Sequence, residues 1–235
     1  MVSTRSSSST LTPGLPPTTP HRSSRAVTPV SSTSSTSSSP SGWSHAPTTL
    51  TLIWLAVSLP LVIWDTGYVL GRPHTMPGGW AHWPIWAPYA LYGEVDHIYG
   101  FKQWNAGNGF TAAQGWLNAV ETAMYLAYFW IWYSSARGVR GGEKRIAGRA
   151  GAFAVVLGFA ASVMTVSKTV LYWLNEYHSS FDNIGHNKPL DLLLLWIVPN
   201  GAWLVVPTYM IYQIGSEIID GLTLASAAPR SIKSE

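Results

Sequence analysis

Apolar residues gather in four runs along the chain, at about 50–70, 111–134, 150–174 and 189–214. Each approaches or exceeds the ~20 residues an α-helix needs to cross a hydrocarbon core. The pattern predicts an all-α membrane protein, a four-helix transmembrane bundle. Pro60 is expected to kink the first run. In the fourth, Pro189 opens the helix where proline is tolerated best, while Pro199 and Pro207 bend it and loosen backbone bonds near Asn200. The third run carries Gly151, Gly158, Ala160, Ala161 and Ser162, small residues that let helices approach closely.

The segments between the runs set domain limits and orientation. Residues 1–46 are almost entirely Ser, Thr and Pro with scattered Arg, and such a stretch cannot bury enough apolar area to offset its ordering entropy. They are expected to form a disordered tail ahead of a membrane domain at 47–215, with a cytosolic C-terminal tail at 216–235. A transit peptide is the competing reading of the Ser-rich, acid-free start, but it lacks amphipathic periodicity. No short apolar stretch with a small-residue cleavage site precedes the first run, so a cleaved signal peptide is not expected. Arg137, Arg140, Lys144, Arg145 and Arg149 crowd the loop between the second and third runs, which the positive-inside rule assigns to the cytosol together with both tails. The opposite connection, 71–110, interleaves Trp80, Trp83, Trp86, Tyr89, Tyr92, Tyr99 and Trp104 with Gly and Pro, and reads as a structured cap with a short interfacial helix near residues 87–100.

Composition narrows the function classes. Charged residues make up 11% of the 235 residues against 47% hydrophobic, and cysteine is absent, so disulfides, thiolate nucleophiles and cysteine metal sites are excluded. The formal charge of +3 lies mostly in the tails and one loop, which argues against nucleic-acid binding. The seven histidines form no close-spaced pair of metal-ligand type, so neither a metal nor another cofactor is expected. Glu94, Asp96 and His97 in the cap are expected to be a solvated cluster rather than a gate.

Four polar side chains interrupt the apolar runs: Asp65, Glu121, Lys168 and Asn200. A charged group at membrane depth costs at least about 2.5 to 3.5 kcal/mol on insertion scales, so such groups face a cavity or a partner and mark function. At a rise of ~1.5 Å per residue, Asp65, Glu121 and Lys168 fall roughly 8 to 15 Å below the lumenal ends of their runs, with Asn200 somewhat deeper. Two carboxylates against one lysine leave an unequal count, and an acid without a full partner can exchange a proton with an apolar substrate. The plainer alternative is a structural ion pair with a protonated spare acid. Asn118 lies three residues before Glu121 and can hold its carboxylate; Trp203 shares a helix face with Asn200. Aromatic faces such as Tyr125 and Tyr172 stabilise a cation without attacking it.

The C-terminal half has further character. Thr169-Val170-Leu171-Tyr172-Trp173-Leu174-Asn175-Glu176, then Gly185-His186, then Asn200-Gly201-Ala202-Trp203-Leu204-Val205-Val206-Pro207, with Glu121-Thr122 upstream, resembles the emopamil-binding protein family, the sterol delta8-delta7 isomerases of the EXPERA superfamily. The resemblance spans about residues 49–214 and implies an EXPERA-like four-span core in the endoplasmic reticulum membrane, with Asp65 and Glu121 moving the proton. It also implies that Trp203 faces the substrate with Asn200 as its polar neighbour; Asn118, Tyr172 and Tyr125 join the expected substrate-binding set from their positions around the acids. The histidine of the family's proton-transfer set falls on Leu61, which cannot donate a proton, and Leu59-Pro60-Leu61-Val62-Ile63-Trp64-Asp65 is similar to the sigma-2 receptor branch. Two functions follow as expectations: an isomerase or related cyclase acting on a sterol-like or isoprenoid-derived molecule, including specialised metabolites, or a non-catalytic sterol and lipid binder. A membrane scaffold ranks third. The expected partners are the apolar substrate and membrane lipid, and a homodimer is left open.

Overall fold

The computed structural model describes residues 42–138 and 142–227; the expected disorder of residues 1–41 lies outside them. Helix dominates. Helix α1 spans Thr49–Leu70, α4 Phe110–Ser135, α5 Gly148–His178 and α7 Val198–Ala227, with short helices α2 (Tyr89–Val95) and α3 (Phe101–Asn105) in the first connection and α6 (Pro189–Leu192) before α7. Helix α4 packs on α1 and α5, and α5 packs on α7, whereas α1 and α7 meet only narrowly.

Local chemistry sets these boundaries. Thr48 caps α1, its hydroxyl accepting from the Thr51 amide at 3.2 Å, and the Gly71 amide closes the other end on the Gly67 carbonyl at 3.0 Å. The side chain of Asn108 accepts from the first amide of α4, that of Phe110, at 2.9 Å. In α5, Ser162, Thr165 and Thr169 return their hydroxyl protons to carbonyls four residues back, which keeps polar groups satisfied inside an apolar helix. Between α6 and α7 the chain forms a π-helical turn, Leu193–Ile197. Pro199 lies two residues beyond its end, and since proline cannot donate to the carbonyl four residues back, the widened turn absorbs the mismatch.

Three stretches, α1, α5 and the continuous 189–227 helix, are long and apolar enough to cross a membrane. Helix α4 is long enough, but it is not among them; Gln114, Asn118 and Glu121 and its many Tyr and Trp residues dilute its hydropathy. The outer faces carry exposed Ile53, Val57, Trp116, Trp130, Phe153, Val156 and Val205, as expected of surfaces that meet lipid rather than water. Inside, Leu55, Tyr125, Tyr128, Ala154, Val155, Ala161, Met210 and Ile214 form the main core. Gly158 makes that contact close: a Cβ there would come within 3.1 Å of Tyr128 and 3.2 Å of Ile214.

Two boundaries differ from the sequence expectation. Residues 44–45, expected in the tail, form strand β1, which pairs antiparallel with β3 (Lys144–Ala147); β3 also pairs with β2 (Arg137–Gly138). Trp43 donates to the Glu217 carbonyl at 2.7 Å and His45 is fully buried, so two bulky side chains in an otherwise Ser-rich stretch anchor it. At the other end α7 continues to Ala227, well past residue 215, through Gly215 and Gly221, with no proline between Pro207 and Ala227 to stop it.

The connection 71–110 is a packed cap. Trp64 of α1 donates to the Ile85 carbonyl at 2.9 Å and Trp86 of the cap donates back to the Trp64 carbonyl at 3.1 Å. Tyr68 and Tyr89 stack at 3.7 Å. Gly93 and Gly100 bring two backbone segments together so tightly that a Cβ on Gly100 would sit 2.5 Å from the Gly93 carbonyl oxygen.

Candidate functional site

The cap, α1, α4, α5, the π turn and the start of α7 line a cavity of about 440 Å³. Its wall is mainly aliphatic and aromatic: Trp64, Tyr89, Tyr92, Tyr99, Phe110, Tyr172 and Trp203, with Leu61, Leu91, Leu194 and Leu195 exposed at its rim. The polar part of the wall is Asp65, Thr111, Gln114, Asn118, Lys168, Thr169 and Asn200. This is the usual make-up of a small-molecule site, apolar with a few convergent polar groups.

Periodicity explains how these side chains converge. Gln114, Asn118 and Glu121 recur at helical spacing on one face of α4, while Lys168, Thr169 and Tyr172 share a face of α5. They form a chain of contacts. Tyr89 donates its hydroxyl to Asp65 Oδ1 at 2.6 Å, and Asn118 Nδ2 donates to Asp65 Oδ2 at 3.3 Å. The side-chain oxygen Oδ1 of Asn118 accepts in turn from Lys168 Nζ, which lies 2.9 Å from Glu121 Oε2. That last contact is a charge pair without a well-aligned hydrogen bond, since Glu121 Oε2 has no partner of hydrogen-bonding geometry among the described residues. Burial keeps the Tyr92 and Tyr99 phenols far above their ordinary range, so both act as neutral hydroxyls.

Of the residues expected to act, Asp65, Asn118, Tyr172, Asn200 and Trp203 all line the cavity. Asn200 donates to the Trp196 carbonyl at 2.8 Å, inside the π turn, and Trp203 packs edge-on to Trp54 at 5.1 Å. Glu121 and Tyr125 do not reach the wall. Glu121 sits behind Lys168 and is only 3% exposed, and the Tyr125 hydroxyl is held in the core by Ser162 and Thr165, each at 3.2 Å. Lys168, without a role in the sequence reading, is the charged group that does line the cavity beside Asp65.

Asp96 was expected in a solvated cluster and is instead completely buried, between Val95 and Ile98 of the inner cap. It accepts from the Ile98 amide at 3.0 Å, the Trp196 indole at 2.8 Å and the Tyr172 hydroxyl. Burial pushes its carboxyl up to about 6, against the opposing effect of those three donors. Asp96 thereby ties the cap to α5 and to the π turn. The sequence signal was its position one residue after Val95 and two before Ile98 in an aromatic segment. Of its neighbours, Glu94 is exposed, and His97 stacks on His186 at 4.0 Å. Among the described residues no three His, Asp or Glu side chains converge as a metal would require.

Compared with known proteins, the chain matches no protein-family model and no curated protein.

Proposed function

We propose that the chain is a multi-pass protein of the endoplasmic reticulum membrane, a four-helix bundle of the emopamil-binding protein type. It takes an apolar polycyclic or isoprenoid-derived molecule into the cavity and moves a proton on it through Asp65. The observation that carries this reading is the Asp65 carboxylate on the wall of a mainly apolar, aromatic cavity whose rim is formed by exposed leucines. A double-bond shift needs one proton added at one carbon and one removed at another, and a single carboxyl can do both in turn, ending in its starting state. Tyr89 and Asn118 hold that carboxyl in place, while Trp64 and Trp203 pack the ring system of the substrate. Ring closure started by the same proton is the related cyclase chemistry. With α4 counted as the fourth span, Asn118 and Glu121 face inward and its aromatic outer face meets lipid.

A second reading has its own support. Leu61 on the cavity wall offers no proton, and Glu121 is taken up by Lys168, so the cavity can equally hold an amphiphile without changing it, its amine or hydroxyl on Asp65. Expression in a yeast strain lacking its sterol delta8-delta7 isomerase, followed by sterol profiling, tests the membrane-sterol version of the enzyme reading. Restored delta7 sterols with the native chain and none with Asp65→Asn support it. An identical profile for the two variants removes Asp65 from the chemistry.

A further inference from the structure

The cavity holds one feature that a bare alkene would not use. Lys168 is only 9% exposed, yet it is part of the wall, and its ammonium carries three protons. One goes to Asn118, and Glu121 balances the charge from behind at 2.9 Å. At least one N–H is left without a protein acceptor among the described residues. A fixed ammonium beside the reacting carbon opposes a carbocation and favours an oxyanion. Asn118 bridges the two charged groups, its amide nitrogen on Asp65 and its carbonyl on Lys168, so the carboxylate and the ammonium flank one stretch of wall.

From this geometry we propose that the substrate class is a β,γ-unsaturated ketone on an apolar polycyclic skeleton. Asp65 is its proton shuttle and Lys168 its oxyanion donor. The inference rests on Asp65 being the proton-transfer group and names what it acts upon. The Asp65 carboxylate removes the proton from the carbon lying between the carbonyl and the alkene. The electron pair moves into the ketone, giving a dienolate whose oxygen accepts a hydrogen bond from Lys168 Nζ. Asp65 then returns the proton to the far alkene carbon, the carbonyl re-forms, and the double bond has moved into conjugation. The isomer has the same atoms and the same oxidation level, and no co-reactant is consumed. Asp65 Oδ2 suits the base role: it accepts only the long 3.3 Å bond from Asn118, while Oδ1 is occupied by Tyr89. Glu121 does not touch the substrate and acts as a positioning residue, its carboxylate 2.9 Å from Lys168 Nζ.

The test uses the full chain in lipid nanodiscs with a β,γ-unsaturated 3-ketosteroid, read by the ultraviolet absorbance of the conjugated product. Binding is read separately, by displacement of a fluorescent sterol. The native protein is expected to convert the ketone. The Lys168→Met/Glu121→Gln pair, which removes both charges together and so leaves neither buried alone, is expected to lose about 100-fold or more in kcat, with KM changed little, as for loss of an oxyanion donor. Undiminished kcat in that double variant overturns the role of Lys168. Displacement of the sterol by the ketone without its conversion overturns the substrate class; an isolated-alkene sterol isomerised by the same nanodiscs then leaves the Asp65 reading standing. Neither binding nor conversion of either compound overturns both.

Discussion

Lys168 Nζ lies 2.9 Å from Glu121 Oε2, and both side chains are almost fully buried between α4 and α5. Breaking such a pair from one side leaves an uncompensated buried charge, which costs roughly 3–5 kcal/mol. Lys168→Met alone is therefore expected to lower the thermal midpoint sharply in detergent, and Glu121→Gln alone likewise. The double variant should recover most of the loss. Additive losses in the double-mutant cycle would mean that the two groups do not interact.

The cap supplies a second prediction, through Asp96. Its folded carboxyl titrates at about 6, above the ordinary 3.8, so between those values the folded state holds a proton that the unfolded chain has released. The sign follows directly: this stability is fully present below about pH 4 and is lost as pH rises through about 6. Asp96→Asn should flatten the dependence of the thermal midpoint on pH between 4 and 6.5. An unchanged slope in that variant would place the titration elsewhere.

The legible part of this protein was its apolar rhythm. Residues 50–70 and 111–134 anticipated α1 and α4 to within a residue, because helix length and hydrophobic run coincide there. The third and fourth helices ran on past 174 and 214 because no proline stops them where the hydropathy fades. The depth argument brought Asp65, Glu121 and Lys168 to one level with Asn200 deeper; Asp65, Lys168 and Asn200 line the cavity, while Glu121 lies 2.9 Å from Lys168 and off the wall. The direction in which Lys168 points and the burial of Asp96 could not be read this way. Both depend on which element covers the residue, a tertiary fact with no local periodicity. The π turn was foreshadowed only by Pro199.

Backbone approach in the cap gives a third prediction. Gly100→Ala would put a methyl group 2.5 Å from the Gly93 carbonyl oxygen, so the two segments must separate. The expected cost is of order 1–3 kcal/mol, with sterol affinity falling in parallel because Tyr92 and Tyr99 on the cavity wall flank this contact. Gly107→Ala in the same connection tests strain alone: a Cβ there meets nothing, but its φ is +70°. It should cost stability without changing affinity. Equal effects of both on affinity would contradict a specific role for the Gly93–Gly100 contact.

The most direct test of the central claim, that Asp65 moves a proton on a molecule bound in the cavity, is deuterium incorporation. Nanodisc-embedded protein is incubated in deuterated water with sterol-like and unsaturated-ketone substrates, and the product is examined by mass spectrometry and NMR. The native chain is predicted to yield both isomers: labelled at the former alkene carbon with the isolated-alkene sterol, where Asp65 first delivers a solvent-exchanged proton, and mostly unlabelled with the ketone, where Asp65 returns the substrate's own proton. Asp65→Asn, still folded and still binding, should fall by about 100-fold to 10,000-fold, the usual contribution of a positioned acid or base. Equal labelled product from the native and Asp65→Asn chains would contradict the account.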